Sequence, residues 1–220
     1  MMWHTSSRTA DTLLWIGMAA AVAFATLALS AARNGIFDLD RGTQALVGLT
    51  RSSSLHGPMA TLSLLGQATG LVPAIAMAQI ISWRCRRRWA VALPIVMAGT
   101  WGLETLGKWA VDRPRPNGAA WGFPSGHTFS VVVLFGVIAY LVCTSGAGQR
   151  WRWTAVTTCG VLALGVAFSR LYLDMHWLSD VGGGFAVGLA YLPLAIWCVE
   201  LAPARASAAS PATAGAGIEG

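Results

Sequence analysis

The twelve residues Ser169–Asp180, "SRLYLDMHWLSD", hold an arginine, a histidine and two aspartates. Charged residues make up only 11% of the chain, so this gathering is either a polar loop between apolar elements or a reaction centre. Asp180 follows His176 by four residues. On a helix those positions share a face, so the Asp180 carboxylate can accept the ring N–H of His176. Such a bond fixes the tautomer and leaves the other ring nitrogen free as nucleophile or base, although the same pair could be purely structural. Arg170 places a cation just before them, whereas Asp174 has no partner in sequence and reads as loop solvation.

Two further stretches carry chemistry. In "KWAVDRPRP", Lys108 is the only lysine of the protein. Pro114 and Pro116 forbid helix continuation and leave Arg113 and Arg115 little freedom. Taken alone, Lys108 could be a snorkelling anchor at a helix end, and Arg113 is a supporting candidate only. In "GFPSGHTFS", Pro124, Ser125 and Gly126 form the turn that starts a helix. Unpaired N–H groups at such a start favour an anion, although Ser125 could be merely an N-cap and Gly126 merely a turn residue. His127 is harder to read as a bystander, because it opens an apolar span at the membrane surface.

Together these parts fit one chemistry. Lys108, Arg115, Arg170 and the helix start can hold a phosphate dianion and its developing charge. His127 and His176 can divide the proton work. No thiol lies near, no carboxylate cluster suits a divalent metal, and no cofactor is called for. The pattern implies metal-independent phosphoryl transfer. The four cysteines, Cys85, Cys143, Cys159 and Cys198, form no CxxC or Cys/His cluster and read as packing residues.

The elements that must position these residues are membrane spans. At 220 residues the chain has the length of one domain. Its 55% hydrophobic content and mean hydropathy of +0.58 are too apolar for a soluble domain of this size. Eleven tryptophans and 25 glycines also suit a bilayer. A net charge of +6 is compatible with nucleic acid, but the arginines lie between apolar blocks and form no patch, so nucleic-acid binding is set aside.

Apolar runs near the length of roughly 20 residues that a bilayer requires fall at about 12–32, 58–82, 89–110, 128–145, 153–169 and 178–200. No period-2 pattern suggests a β-barrel. The expected fold is therefore all-α, a polytopic membrane protein with about six transmembrane helices. The first run is longer than the apolar stretch of about 7–15 residues in a signal peptide and reads as a retained helix. Residues 1–202 would form the membrane domain, and the Ala/Ser/Pro/Gly tail 203–220 is expected to be disordered.

Orientation follows from the short loops. "WRCRRRW" carries Arg84, Arg86, Arg87 and Arg88, "QRWRW" carries Arg150 and Arg152, and neither contains an acid. Both should be cytoplasmic, with both termini inside. Loops at about 33–57, 111–127 and 170–177 then face outward. The first reads as a short amphipathic segment lying on the bilayer, and the other two hold the reactive groups.

The motifs K-x6-R-P at 108–116, P-S-G-H at 124–127 and S-R-x5-H-x3-D at 169–180 together resemble the type 2 phosphatidic acid phosphatase superfamily. Each is modest alone, but all three are complete and in order. The tail and the segment 33–57 lie outside the resemblance. It implies that His176 is a nucleophile forming a phosphohistidine, that Asp180 orients it, and that His127 is the general acid for the leaving alkoxide. Lys108, Arg115 and Arg170, with Ser125 and the Gly126 amide, would form the phosphate cradle. Water would then hydrolyse the phosphohistidine.

Vanadium haloperoxidases share these motifs but are soluble. A sugar-phosphatase site is similar, but its placement at the bilayer favours a lipid. A lipid carrier without turnover would need the cations but not both histidines. The implied partners are the bilayer and a membrane phospholipid or polyprenyl phosphate. Candidate substrates are polyprenyl pyrophosphate, phosphatidylglycerophosphate, phosphatidic acid or a lipid A phosphate.

Overall fold

The computed structural model describes residues 7–201, so the tail expected to be disordered lies outside the described residues. Eight α-helices follow in order: α1 (Ser7–Asn34), α2 (Asp38–Leu49), α3 (Ser53–Leu64), α4 (Ala68–Cys85), α5 (Arg87–Val111), α6 (Gly126–Cys143), α7 (Gln149–Tyr172) and α8 (Leu178–Ile196), which runs into a π-helical turn at Trp197–Leu201. Among the described residues there is no strand. The protein is an all-α, multi-pass membrane protein.

Five segments are long and apolar enough to cross a bilayer alone: Asp11–Arg33, Arg87–Val111, Gly126–Cys143, Gln149–Tyr172 and Leu178–Glu200. The sixth candidate span is a pair of helices. The run at 58–82 reads as continuous, but it is built as α3 and α4, bent by 47° at a break. Gly66 lies in that break, and a Cβ there would come within 2.9 Å of His127. A bend in the second span thus lets it close against the first turn of α6.

Helix α6 is the centre of the bundle. Phe129, Val133, Leu134 and Val137 are buried with Trp89, Leu93 and Met97 of α5 and Ile196 of α8. On the far side of α6, Val131 and Val132 meet Ala163 and Val166 of α7. The outward faces keep Ile95, Trp101, Trp109, Val161 and Leu164 exposed, as lipid-facing surfaces require. Helix α1 runs antiparallel to α8, with Gly17 beside Pro193 and Leu27 beside Gly182.

At one end of the bundle Arg86 Nη1 donates to Glu200 Oε1 (2.8 Å) and Arg86 Nη2 to the Thr144 carbonyl (2.6 Å). Trp89 Nε1 donates to the same carboxylate oxygen at 2.7 Å. This ties the ends of α4, α6 and α8 together, opposite the loops that carry the reactive groups.

The segment 33–57 is more structured, and more deeply involved, than an amphipathic piece on the bilayer. Gly35, at φ +66°, ends α1 in the left-handed conformation that glycine adopts freely. Helix α2 exposes a stripe of Leu39, Leu46 and Leu49. Its other face buries Asp40 and Val47 against the protein. Ser52 caps α3 by accepting from Leu55 N (3.3 Å), and its own N–H donates to the Tyr172 hydroxyl at 2.8 Å. The start of α3 is thereby strapped to the end of α7.

Candidate active site

The segment 169–180 ends one span and starts the next. The Arg170 carbonyl accepts from Met175 N (3.0 Å) and His176 N (3.3 Å), which folds the chain back over the end of α7. His176 is not on α8, as the i, i+4 argument assumed. The helix begins at Leu178 with Trp177 as its N-cap. Asp180 is the third helical residue, and its Oδ2 accepts from Trp177 N at 2.9 Å, satisfying an otherwise unpaired helix-start donor. The same oxygen lies 3.5 Å from His176 Nδ1, at the outer edge of hydrogen-bonding distance. Catalytic bonds of this kind often tighten only around the substrate. Asp180 stands beside His176 as the spacing suggests, through a cap instead of a helix face, but Nδ1 of His176 makes no hydrogen bond in this structure.

Burial pushes the His176 pKa below its ordinary value. The nearby Asp180 carboxylate opposes the shift, and the cations Arg170 and Arg115 reinforce it. The ring is therefore neutral, and its lone pair is available, at neutral pH.

Ser125 is the N-cap of α6, but its side chain does not cap. Its N–H donates to the Asp180 carbonyl (2.9 Å), while its hydroxyl accepts from Thr128 Oγ1 at 3.1 Å. The starts of α6 and α8 are thus bolted together, which sets His127 beside His176. Gly126 is needed for close approach, because a Cβ there would run into the Glu104 carboxylate. Glu104 in turn pairs with Lys108 one helical turn on. Lys108 therefore faces inward and does not snorkel.

Arg170 Nη1 donates to Ser63 Oγ of α3 at 2.6 Å, so the bent span also positions a cation. Arg115 sits in a tight turn, its N–H donating to the Ala119 carbonyl (2.8 Å) and its Nη2 reaching the Trp121 carbonyl at 3.4 Å. His127 lies within electrostatic reach of Arg170, His176, Lys108 and Arg115. All eight residues singled out from the sequence thus lie at or between the starts of α6 and α8. Four of them carry a buried nitrogen without a partner: Nε of Arg115, Nε of Arg170, Nε2 of His127 and Nδ1 of His176; Nε of Arg113 and of Arg152 is unpaired as well. Buried polar atoms are normally paired, and the four at this pocket leave polar groups free to meet a ligand.

Sequence reasoning missed Asp40, Ser63, Gly66 and Glu104. Only Glu104 left a local signal, its i, i+4 spacing to Lys108. Asp174 also differs from its expected role in loop solvation. It adopts φ +57° and accepts from Gln44 and, at 2.7 Å, from Arg51 Nη2, so it fastens α2 and the start of α3 to the α7–α8 turn. Arg113, a supporting candidate only, is one of the most buried side chains of the protein at 2% exposure. The cysteines Cys143, Cys159 and Cys198 are free.

Beside His127 a groove of about 520 Å³ runs between α4, α5 and α6, lined by Leu71, Ile75, Met97 and Trp101 with Glu104 and Gly126. Among the described residues, no group of three His, Cys, Asp or Glu side chains could hold a metal ion.

Fold and site define a multi-pass helical membrane protein with a cationic, two-histidine pocket at one end of its bundle. A family model described as the PAP2 superfamily matches residues 89–203. The chain belongs to this superfamily, and it is a PAP2-type lipid phosphatase. Phosphatidylglycerophosphatase B of Bacillus subtilis is 30% identical over 175 residues, which cover 76% of this chain and 86% of that protein. An undecaprenyl-diphosphatase of Sulfolobus acidocaldarius is 24% identical over 155 residues, covering 65% of this chain and 70% of its own. The crystal structure of a transmembrane PAP2-type phosphatidylglycerolphosphate phosphatase from Bacillus subtilis superposes with a TM-score of 0.76 at 24% identity. That match covers 90% of this chain and 99% of the other, and it shows a shared fold.

Proposed function

We propose that the protein hydrolyses a lipid phosphomonoester or pyrophosphate through a phosphohistidine on His176, without a metal, on the extracytoplasmic face of the membrane. The observation that carries this reading is the set of unpartnered buried nitrogens on Arg115, Arg170, His127 and His176, gathered at one end of the bundle. The phosphate would lie among Lys108, Arg115, Arg170 and the start of α6, with Ser125 and the Gly126 amide completing the cradle. The lone pair of His176 Nε2 attacks phosphorus as the bond to the leaving oxygen breaks, and His127 gives that oxygen its proton. Water then attacks the phosphohistidine while giving a proton back to His127, the P–N bond breaks to return the lone pair to His176, and inorganic phosphate is released. The groove beside His127 offers an apolar bed for the lipid chain.

Among substrates, phosphatidylglycerophosphate is favoured by the similarity to the Bacillus phosphatase, and a polyprenyl pyrophosphate is the second reading, supported by the Sulfolobus relative. Phosphate release from these two, phosphatidic acid and a lipid A phosphate decides between them. Cationic side chains already provide the charge neutralisation that a metal would give. Release is therefore expected to continue in excess EDTA and to be inhibited by vanadate, which adopts the five-coordinate geometry of the transferring phosphorus. Loss of activity on chelation, restored by magnesium, would count against the mechanism.

The topology has its own test. The arginine-rich loop 83–89 is assigned to the cytoplasm with both termini, and residues 112–126 to the outside. In a variant without native cysteines, Ala120→Cys is expected to react with an impermeant maleimide in intact cells, and Arg88→Cys only after lysis. The reverse pattern would invert the assignment.

A further inference from the structure

Asp180 has a second set of partners that the proposed mechanism does not use. Its Oδ1 accepts from Arg113 Nη1 at 2.8 Å. The same Nη1 donates to Ser179 Oγ at 2.6 Å, and Arg113 Nη2 pairs with Asp40 of α2. Asp40 closes the circuit. Its Oδ1 accepts from Ser179 N (2.8 Å) and its Oδ2 from Ser179 Oγ (2.7 Å), with Phe37 N at 3.3 Å from Oδ2. The Phe37 ring covers the guanidinium, 5.2 Å from its centre. Exposure is 1% at Asp40, 2% at Arg113 and 0% at Asp180.

Two features make this more than a fold-stabilising knot. First, it terminates on the atom pair that orients the histidine. Trp177 N holds the Asp180 oxygen nearest His176 and Arg113 holds the other, so the carboxylate is fixed through both oxygens. Second, the charges matter at this burial, where interactions are weakly screened. A guanidinium bound to Asp180 alone would cancel the carboxylate that must stabilise a positively charged His176 ring. Asp40 takes the other half of the guanidinium, so the three groups together keep one negative charge facing His176.

We propose that Asp40 is a positioning residue for the reaction, acting through Arg113 and Ser179 on Asp180 and hence on His176. Helix α2, which the sequence places outside the catalytic motifs, is then a working part of the reaction centre. This rests on the reading of Asp180 as the partner of His176.

The test is a double-mutant cycle on the purified, full-length protein. Turnover is counted per folded site, by titration with inorganic phosphate, so loss of folded protein does not register. Asp40→Asn is expected to lower kcat by on the order of 10–100-fold, by analogy with the outer groups that orient metal-bound histidines. KM should stay within about threefold, because the cations that would hold phosphate are not in the circuit. On an Asp180→Asn background the same substitution should add less than about threefold, since its path to His176 is already cut. Ser179→Ala removes a bridge without removing a charge, so it keeps the test open if Asp40→Asn does not fold. It should lower kcat several-fold with KM unchanged.

Wild-type kcat in both single variants, or a loss from Asp40→Asn that persists in full beside Asp180→Asn, overturns the proposal. A wild-type-like His176→Ala would instead overturn the nucleophile assignment, and the coupling of Asp40 to Asp180 would be read from the cycle as before.

Discussion

His176→Ala is expected to abolish turnover, by on the order of 10⁴-fold or more, while phosphate binding persists within a few-fold. The expectation follows from where the charges sit. Lys108, Arg115 and Arg170 come from α5, the loop after it and α7, and none depends on the His176 ring for its own placement. Removing the ring deletes the bond-forming atom and leaves the proposed anion cradle intact. Rapid quench with phosphorus-labelled substrate should trap an acid-labile phosphohistidine in the wild type and none in the variant. The pH dependence has a definite sign. Burial holds His176 below its ordinary 6.5, so the ring stays neutral down past that value. The acid limb of kcat/KM due to this group should therefore lie below pH 6.5. Asp180 works against burial by favouring the protonated ring, so Asp180→Asn should move that limb lower still while slowing turnover. Near-normal turnover in His176→Ala would leave "SRLYLDMHWLSD" a polar loop after all.

What was legible in the sequence was local. The motif residues are adjacent in the chain to the turns that place them: the prolines around Arg115, the helix start at Gly126, and the four-residue step from His176 to Asp180. Apolar runs located the spans because each must bury its own backbone bonds in lipid. What was not legible depended on partners far apart in sequence. Asp40 lies 73 residues from Arg113 and 139 from Ser179, and nothing in "DLDR" distinguishes an interfacial acid from a buried one. Asp174 reads as solvated because Gln44 and Arg51 reach it only once α2 is docked. The break in the second span escaped notice for a related reason. Gly66 is unremarkable in an apolar run, and what requires it is the His127 ring, 61 positions away in the chain and close enough to clash with any Cβ. Local spacing thus singled out the candidate reacting groups, while the scaffold around them is written in long-range pairs.

His127→Ala should behave differently from His176→Ala, and the difference lies in the leaving group. His127 is in the first turn of α6, its Nε2 buried without a partner, at the end of the groove that the lipid chain would occupy. A proton delivered from there would reach the bridging oxygen between phosphorus and lipid. A glycerol alkoxide is a poor leaving group and needs that proton as the bond breaks. General-acid help of this kind contributes typically 10²–10⁴-fold. His127→Ala should therefore slow release from a lipid phosphate by roughly that range. A nitrophenyl phosphate departs as a stabilised phenolate and needs little protonation, so its hydrolysis should fall by no more than about tenfold in the same variant. The first covalent step on the nitrophenyl substrate should still trap phosphohistidine in His127→Ala, whereas no leaving group should rescue His176→Ala. Equal losses on both substrates would assign His127 to holding the phosphate, because a binding role is blind to the pKa of the departing oxygen.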